Sequence, residues 1–393
     1  MFFDHLTLAP ADPLFGIKAQ FDQDARKEKV SLTLGVYQTD KLEKKLISAV
    51  YQAAQKIAKK DLSAEYLPID GFPLYLSEVA KLVFGEHYQK KQKLIYGAQT
   101  VGGTSALRIG GDFLFEHFGK TIYLSNPTWA NHPKIFKRSG LEIKSYPYYD
   151  LKTNSITFDK MTAFLESLPE KSIVLLQPCC HNPTGADLTL KEWKELALLF
   201  KAKKHLAFFD FAYLGFGEGR EQDTQAIRLF LEMNLEFLIA FSASKNFSLY
   251  KQRTGALYFI AASQDNKEKI ASHVKSIIRT NYSNPPAYGA QIVAEVLSDS
   301  ALKKEWETEI DQMRVRINFY REQLAQALKK KDFAYLKKQK GLFSLLGLSP
   351  QQVALLKQKY ALYLPDSSRI NIAGVGSQNL KYIVSALEGV LNT

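Results

Sequence analysis

The middle of the chain alternates between two kinds of segment, and this restricts the fold more than any other feature of the sequence. Short runs rich in β-branched and aromatic residues, at 121–125, 173–176, 206–210, 237–242 and 256–262, are interleaved with helix-like stretches such as 190–201 and 223–231. Strands that alternate with helices cover both faces of a sheet by winding around it, so the pattern predicts an α/β domain with a mostly parallel sheet. In open sheets of that kind ligands collect beyond the carboxyl ends of the strands. Functional residues are therefore expected just after each run.

The flanks read differently. Over 42–60, Leu46, Val50, Ala53, Ala54 and Ile57 recur at helical spacing. Beyond the sheet, Trp306, Ile310, Met313, Ile317, Tyr320, Leu324 and Leu328 advance by threes and fours, which predicts one long helix leaving the sheet domain. The tail, with Phe343-Ser344-Leu345-Leu346, a helix near 351–360 and Ser368-Arg369-Ile370-Asn371-Ile372, predicts a smaller α+β unit. A chain of 393 residues, 46% hydrophobic, can bury a large core and suits two or three domain-sized units. The sequence has no internal repeat, low-complexity tract or proline-rich linker, so the domains are expected to interlock. A large domain over 42–305 and a small one assembled from 1–41 and 306–393 are predicted.

Composition excludes several classes of function. The net charge of +12 invites a phosphate-backbone partner, but the lysines fall in short groups at 90–93, 201–204 and 329–331, without a basic arm or nucleic-acid-binding module. No nucleic-acid partner is expected, although a positive field would still favour anionic substrates. The start, Met1-Phe2-Phe3-Asp4-His5, lacks a basic stretch followed by an apolar run, and no apolar segment reaches membrane-spanning length. With only Cys179 and Cys180, adjacent in sequence, a disulfide framework is excluded and a reducing cytoplasm is the expected setting.

Several segments carry chemistry, each with a plainer reading beside it. Val101-Gly102-Gly103-Thr104-Ser105 precedes a helical run and could cradle a phosphate on free backbone N–H groups, or simply start a helix. Asp210 closes a strand ahead of Tyr213. Its carboxylate could face a protonated pyridine nitrogen while Tyr213 meets that ring's phenolic oxygen, or it could cap a helix or ligate a metal. Lys245, in Ser242-Ala243-Ser244-Lys245, follows another strand, with Arg253 eight residues on. Burial or a neighbouring cation turns a lysine into an imine-forming nucleophile, and Ser242 and Arg253 could hold a phosphate beside it; most lysines are solvated surface residues. Two Asn-Pro pairs, 126–127 and 182–183, follow strands, where Trp129 could stack on a planar cofactor and Asn182 could donate to it, or where both could be ordinary turn and core residues. His132 and His181 lack the spacing of a metal pair, so no metal site is predicted. Arg279 and Arg369 could each clamp a carboxylate, or form surface ion pairs.

Taken in order, Cys179-Cys180-His181-Asn182-Pro183-Thr184-Gly185, Asp210-Phe211-Ala212-Tyr213-Leu214-Gly215-Phe216, Ser244-Lys245-Asn246-Phe247 and Asn281-Tyr282-Ser283-Asn284-Pro285-Pro286 resemble the aspartate and aromatic amino-acid aminotransferases, pyridoxal-phosphate enzymes of fold type I. The resemblance runs from Ala9-Pro10-Ala11-Asp12-Pro13 to Asn371-Ile372-Ala373-Gly374. It implies that Lys245 bonds pyridoxal 5'-phosphate; that Asp210, Tyr213, Asn182 and Trp129 hold its ring; and that Gly103, Thr104, Ser242 and Arg253 bind its phosphate, joined by Tyr66 of a second subunit. It further implies that Arg369 holds the substrate α-carboxylate with Gly35 alongside, and that the partner's Arg279 takes a distal carboxylate. A homodimer with shared sites follows, acting by ping-pong transamination on amino-acid and keto-acid substrates. Aspartate with 2-oxoglutarate is the expected pair, with tyrosine or phenylalanine as alternative donors. Two arginines favour that exchange over decarboxylation or elimination. Gln177, where the aspartate-type pattern often has histidine, Ala243, which replaces a tyrosine, and Pro68, which replaces a glycine as in aromatic-type members, bear on substrate preference.

Overall fold

Seven strands form the central sheet of the protein, seen in a computed structural model that describes residues 1–9, 12–60, 63–329 and 332–391. Pro10 and Ala11 of the leading motif and Lys330 and Lys331 of the last lysine group lie outside the described residues. In chain order the strands are β1 (Ile95–Val101), β2 (Thr121–Asn126), β3 (Glu142–Pro147), β4 (Ile173–Leu176), β5 (Leu206–Phe211), β6 (Phe237–Ser242) and β7 (Thr254–Ile260). They lie side by side as β1-β7-β6-β5-β4-β2-β3. All neighbours are parallel except β7, which runs antiparallel to both β1 and β6. Every residue of β4, β6 and β7 is buried, as helices on both faces require, and this is why their sequences are nearly unbroken apolar runs.

The helices that matter for the site are α1 (Ser48–Lys60), α2 (Gly102–His117), α3 (Leu190–Lys203), α4 (Gln225–Glu232), α5 (Gln264–Asn281), α6 (Ser300–Ala327) and α7 (Pro350–Tyr360). Capping boxes start α3 (Thr189 with Glu192) and α7 (Ser349 with Gln352). The long helix α6 begins ahead of the expected first residue Trp306, because the Asp299 carboxylate accepts the backbone N–H groups of Ala301 (2.9 Å) and Leu302 (3.1 Å).

Helix α6 ties the two ends of the chain to the sheet. Its indole Trp306 donates to the Asn246 carbonyl at 2.7 Å, and Glu309 accepts the free N–H groups of Ser48 (2.6 Å) and Ala49 (3.1 Å) at the start of α1. Further along, Arg316 donates to the carbonyls of Thr39 (3.0 Å) and Val375 (2.7 Å). The N-terminal strand Val30–Ser31 pairs in parallel with Leu362–Tyr363, and Phe343–Leu345 pairs antiparallel with Arg369–Asn371. The N-terminal segment and the tail are thus hydrogen-bonded into one unit, and the expected boundary at residue 306 falls within a continuous helix.

Candidate active site

The strands deliver their chemistry to one edge. β1 runs directly into α2 through Gly102-Gly103-Thr104, β2 is followed by Trp129, and β4 by the loop carrying Asn182. β5 ends at Asp210-Phe211 ahead of Tyr213, and β6 at Ser242 ahead of Lys245. Because β7 is antiparallel, its beginning lies at this same edge, with Thr254 opposite Val101 and Gly255 opposite Ser242. Arg253, just before β7, is thereby brought to the turn at Gly102. The two Asn-Pro bonds, 126–127 and 182–183, are both cis.

Two sources of positive potential converge here, the N-terminus of α2 and the Arg253 guanidinium. The N-terminus of α2 has no capping side chain, and its first residue, Gly102, holds φ +75°. A Cβ on Gly102 would sit 2.5 Å from the Arg253 guanidinium, and one on Gly103 would sit 3.0 Å from the Ser242 Cβ, so glycine lets the turn, the arginine and the serine close together. Thr104 follows in the same helical turn. Arg253 donates to the Ser244 hydroxyl (3.3 Å) and the Tyr250 carbonyl (3.2 Å), and no carboxylate pairs with it among the described residues. The arrangement suits an anion, and none of the described residues supplies one.

Beside it stands the Lys245 amine, 5.2 Å from the centre of the Tyr213 ring and without a hydrogen bond among the described residues. Burial pushes the amine down to about 8; Asp210 opposes the shift, while Arg253 and Arg369 reinforce it. Asp210 is buried, and its Oδ2 accepts from His132 Nε2 at 3.0 Å. A carboxylate only accepts, so His132 donates from Nε2, and its Nδ1 lies 2.7 Å from the Thr128 hydroxyl. Trp129 packs edge-on against the same imidazole, with ring centres 5.2 Å apart. Burial holds the Tyr213 phenol well above its usual range. Its oxygen accepts from Asn182 Nδ2 at 3.2 Å, and Asn182 Oδ1 in turn accepts from Arg369 at 3.0 Å.

Arg369 is 5% exposed, and burial lowers it to about 10. It donates to the Thr33 carbonyl at 2.7 Å and lies 4.0 Å above the Phe343 ring, but its Nε has no partner and no carboxylate pairs with it among the described residues. Gly35 meets the edge of the same ring, since a Cβ there would strike Phe343 Cζ.

Two sequence-predicted residues stand apart. Tyr66 is 91% exposed, and Arg279, in the last turn of α5, is exposed and donates to the Ser283 hydroxyl. Their segments are joined, because Asn284 Nδ2 donates to the Leu67 carbonyl at 2.7 Å. Of the three departures, Pro68 closes a turn by accepting from the Gly71 N–H at 2.8 Å, Ala243 is fully buried, and Gln177 clamps the main chain of Asn182. Among the described residues one group has metal-ligand proximity, Cys179, Cys180 and Asp223. Asp223 already accepts backbone N–H groups from Gly215, Gly217 and Glu218 at 2.8–3.0 Å, and burial raises the Cys180 thiol to about 12. These are the properties of a capped turn with packed thiols.

Sequence reasoning missed His132 as Asp210's partner, having weighed it only as a metal ligand. Its position three residues after Trp129 was the one available hint. It also missed Asp187, whose carboxylate accepts the N–H groups of Cys180 (2.7 Å) and His181 (2.8 Å) and shapes the Asn182 loop.

A seven-stranded sheet with one antiparallel member, presenting a depressed lysine and an anion cradle at its carboxyl edge, defines a fold type I transferase. Within that class the sequence profile described as aminotransferase class I and II matches residues 27–387, and the chain belongs to this family. An aspartate aminotransferase of Salmonella typhi is 40% identical over 395 residues, covering 99% of this chain and 100% of that protein. A tyrosine aminotransferase of Klebsiella pneumoniae is 39% identical, again covering 99% of this chain and 100% of its own length. Among solved structures, an aromatic-amino-acid aminotransferase from Burkholderia pseudomallei, covalently bound to pyridoxal phosphate, matches with a TM-score of 0.96 at 39% identity, covering 100% of both chains.

Proposed function

We propose that this aminotransferase moves an amino group from aspartate to 2-oxoglutarate by a ping-pong mechanism, on pyridoxal 5'-phosphate bonded to Lys245. The observation that carries the reading is the buried Lys245 amine, 5.2 Å from the Tyr213 ring centre, lowered to about 8 and close enough to Arg253 and Asp210 for both charges to act on it. The residues fit the cofactor on their own chemistry. Among the described residues Arg253 has no anionic partner and the Arg369 Nε is unpartnered, and Asp210 is a buried carboxylate held by a histidine. Aromatic donors are the second reading, because this chain is as similar to a tyrosine aminotransferase (39%) as to an aspartate aminotransferase (40%).

In this reading Gly103, Thr104, Ser242 and Arg253 bind the phosphate, and Trp129 flanks the ring. Asp210, oriented by His132, faces the ring nitrogen, and Asn182 with Tyr213 meets the phenolic oxygen. When bound, the cofactor supplies an electron sink that lets the amino acid's Cα–H bond break. Lys245 Nζ, released when the substrate's amine takes its place, would take that proton from Cα and deliver it to the cofactor, work suited to an amine brought near neutrality. The Tyr213 phenol stays protonated and can donate. Arg369 holds the substrate α-carboxylate bidentately, with Gly35 supporting it through Phe343. The proposed division into 42–305 and 1–41 with 306–393 puts Lys245 and Asp210 on one part and Arg369 and Gly35 on the other.

A homodimer with shared sites is part of this proposal. Met1, Phe2, Phe3, Leu6, Leu8 and Phe15 are exposed, an apolar arm suited to a second copy, and Tyr66 and Arg279 are presented on joined, exposed segments. Among the described residues no helix is long and apolar enough to cross a membrane. A reducing cytoplasm is the proposed setting, in keeping with two buried free cysteines.

Two experiments test these assignments. Arg279→Ala should lower kcat/KM for aspartate by roughly 10²-fold, the cost of stranding a carboxylate, while aromatic donors lose far less. Equal losses for both donor classes would contradict its role. Mixing Lys245→Ala subunits with Arg279→Ala subunits should restore aspartate turnover, because each mixed dimer contains one site with both residues intact. No recovery after subunit exchange would count against shared sites.

A further inference from the structure

The geometry points to Gln177 as a positioning residue that locks Asn182 in the orientation its cofactor and substrate contacts need. Gln177 follows the last residue of β4 and is buried. Its Oε1 accepts the Asn182 N–H at 2.9 Å, and its Nε2 donates to the Asn182 carbonyl at 3.2 Å. One side-chain amide thus pairs with both main-chain groups of one residue, as a strand neighbour would. The Asn182 side chain is fixed from the other side, donating to Tyr213 and accepting from Arg369. Gln177 touches neither of those groups, so it acts only through Asn182.

A glutamine is well matched to this task. Its donor and acceptor lie in one plane and point the same way, and neither titrates near neutral pH. The two ring nitrogens of a histidine diverge, so histidine could satisfy only one of the two Asn182 groups. The neighbouring His181 illustrates how this region handles imidazole: it is buried between Ser125 (3.0 Å) and Thr184 (2.8 Å), and burial pushes it down to about 3.

The inference rests on the reading that Asn182 donates to the cofactor's phenolic oxygen, and the test separates the two. The holoenzyme's visible absorbance is titrated against pH for wild type, Asn182→Ala, Gln177→Leu and Gln177→His. Removing a donor from the phenolic oxygen leaves more negative charge to hold the proton on the neighbouring Lys245 nitrogen, so the midpoint should rise. We expect a rise of about half a pH unit or more for Gln177→Leu, with KM for the amino acid up by roughly threefold or more. Gln177→His should fold and show a smaller rise, and it carries the test where the leucine variant does not fold. An unmoved midpoint in Asn182→Ala overturns the reading of Asn182 itself. A shift in Asn182→Ala with wild-type midpoints and KM in the folded Gln177 variants overturns the positioning role alone.

Discussion

Lys245→Ala should lower turnover by roughly 10⁴-fold or more, because in the proposed mechanism the nucleophile that bonds the cofactor and the base that moves the α-proton are lost together. The absorbance of the bonded cofactor should disappear while phosphate-site binding persists, since Gly103, Ser242 and Arg253 are untouched. Steady-state transamination near the wild-type rate would sink the assignment. The same residue carries a stability signature in the cofactor-free protein. Burial lowers its pKa from 10.5 to about 8, so between those values the unfolded chain binds more protons here than the folded one, and stability rises with pH. Below pH 8 both states are charged and the folded state bears the whole desolvation penalty, about 3 kcal/mol for such a shift. Cofactor-free Lys245→Met should therefore resist denaturant better than wild type at pH 7, with the gap narrowing as the pH climbs toward 10.5. A gap that widens with pH would contradict the burial of this amine.

Asp210→Asn is the second large effect, with kcat expected to fall by roughly 10²–10³-fold and KM to change little. Asparagine has the same shape and can still accept from His132, so the loop should survive. What it removes is the negative charge proposed to face the ring nitrogen, and with it the preference for a protonated ring. Single-turnover measurement of α-proton exchange isolates this step. Exchange at the wild-type rate in a cofactor-loaded Asp210→Asn protein would exclude the role.

The candidate site was legible in the sequence wherever its residues follow a strand closely. Asp210, Ser242 and Lys245 sit within a few residues of runs that are buried on both faces and so read as strands from composition alone. Strands β1 and β3 were not anticipated. β1 reads Ile-Tyr-Gly-Ala-Gln-Thr-Val, with Gln99 buried because it bonds the Phe72 N–H and the Pro286 carbonyl, partners far along the chain. The reversed direction of β7 left no mark in its sequence either. Were β7 parallel, Arg253 would lie across the sheet, about 20 Å from the Gly102 turn. The resemblance assigned Arg253 to the phosphate, and the antiparallel ladder is the physical reason it can serve there. His132 escaped notice because its partner Asp210 is remote in sequence, and Gln177 because a departure from a pattern does not reveal what the new side chain holds.

The cradle at Gly102 and Arg253 joins two points roughly 150 residues apart in sequence, and closing so long an interval is among the slower events in folding. The phosphate half of the proposed site is therefore complete only once the edge strand β1 has zipped onto β7. The colour of the bound cofactor should consequently report that pairing during refolding, without any label.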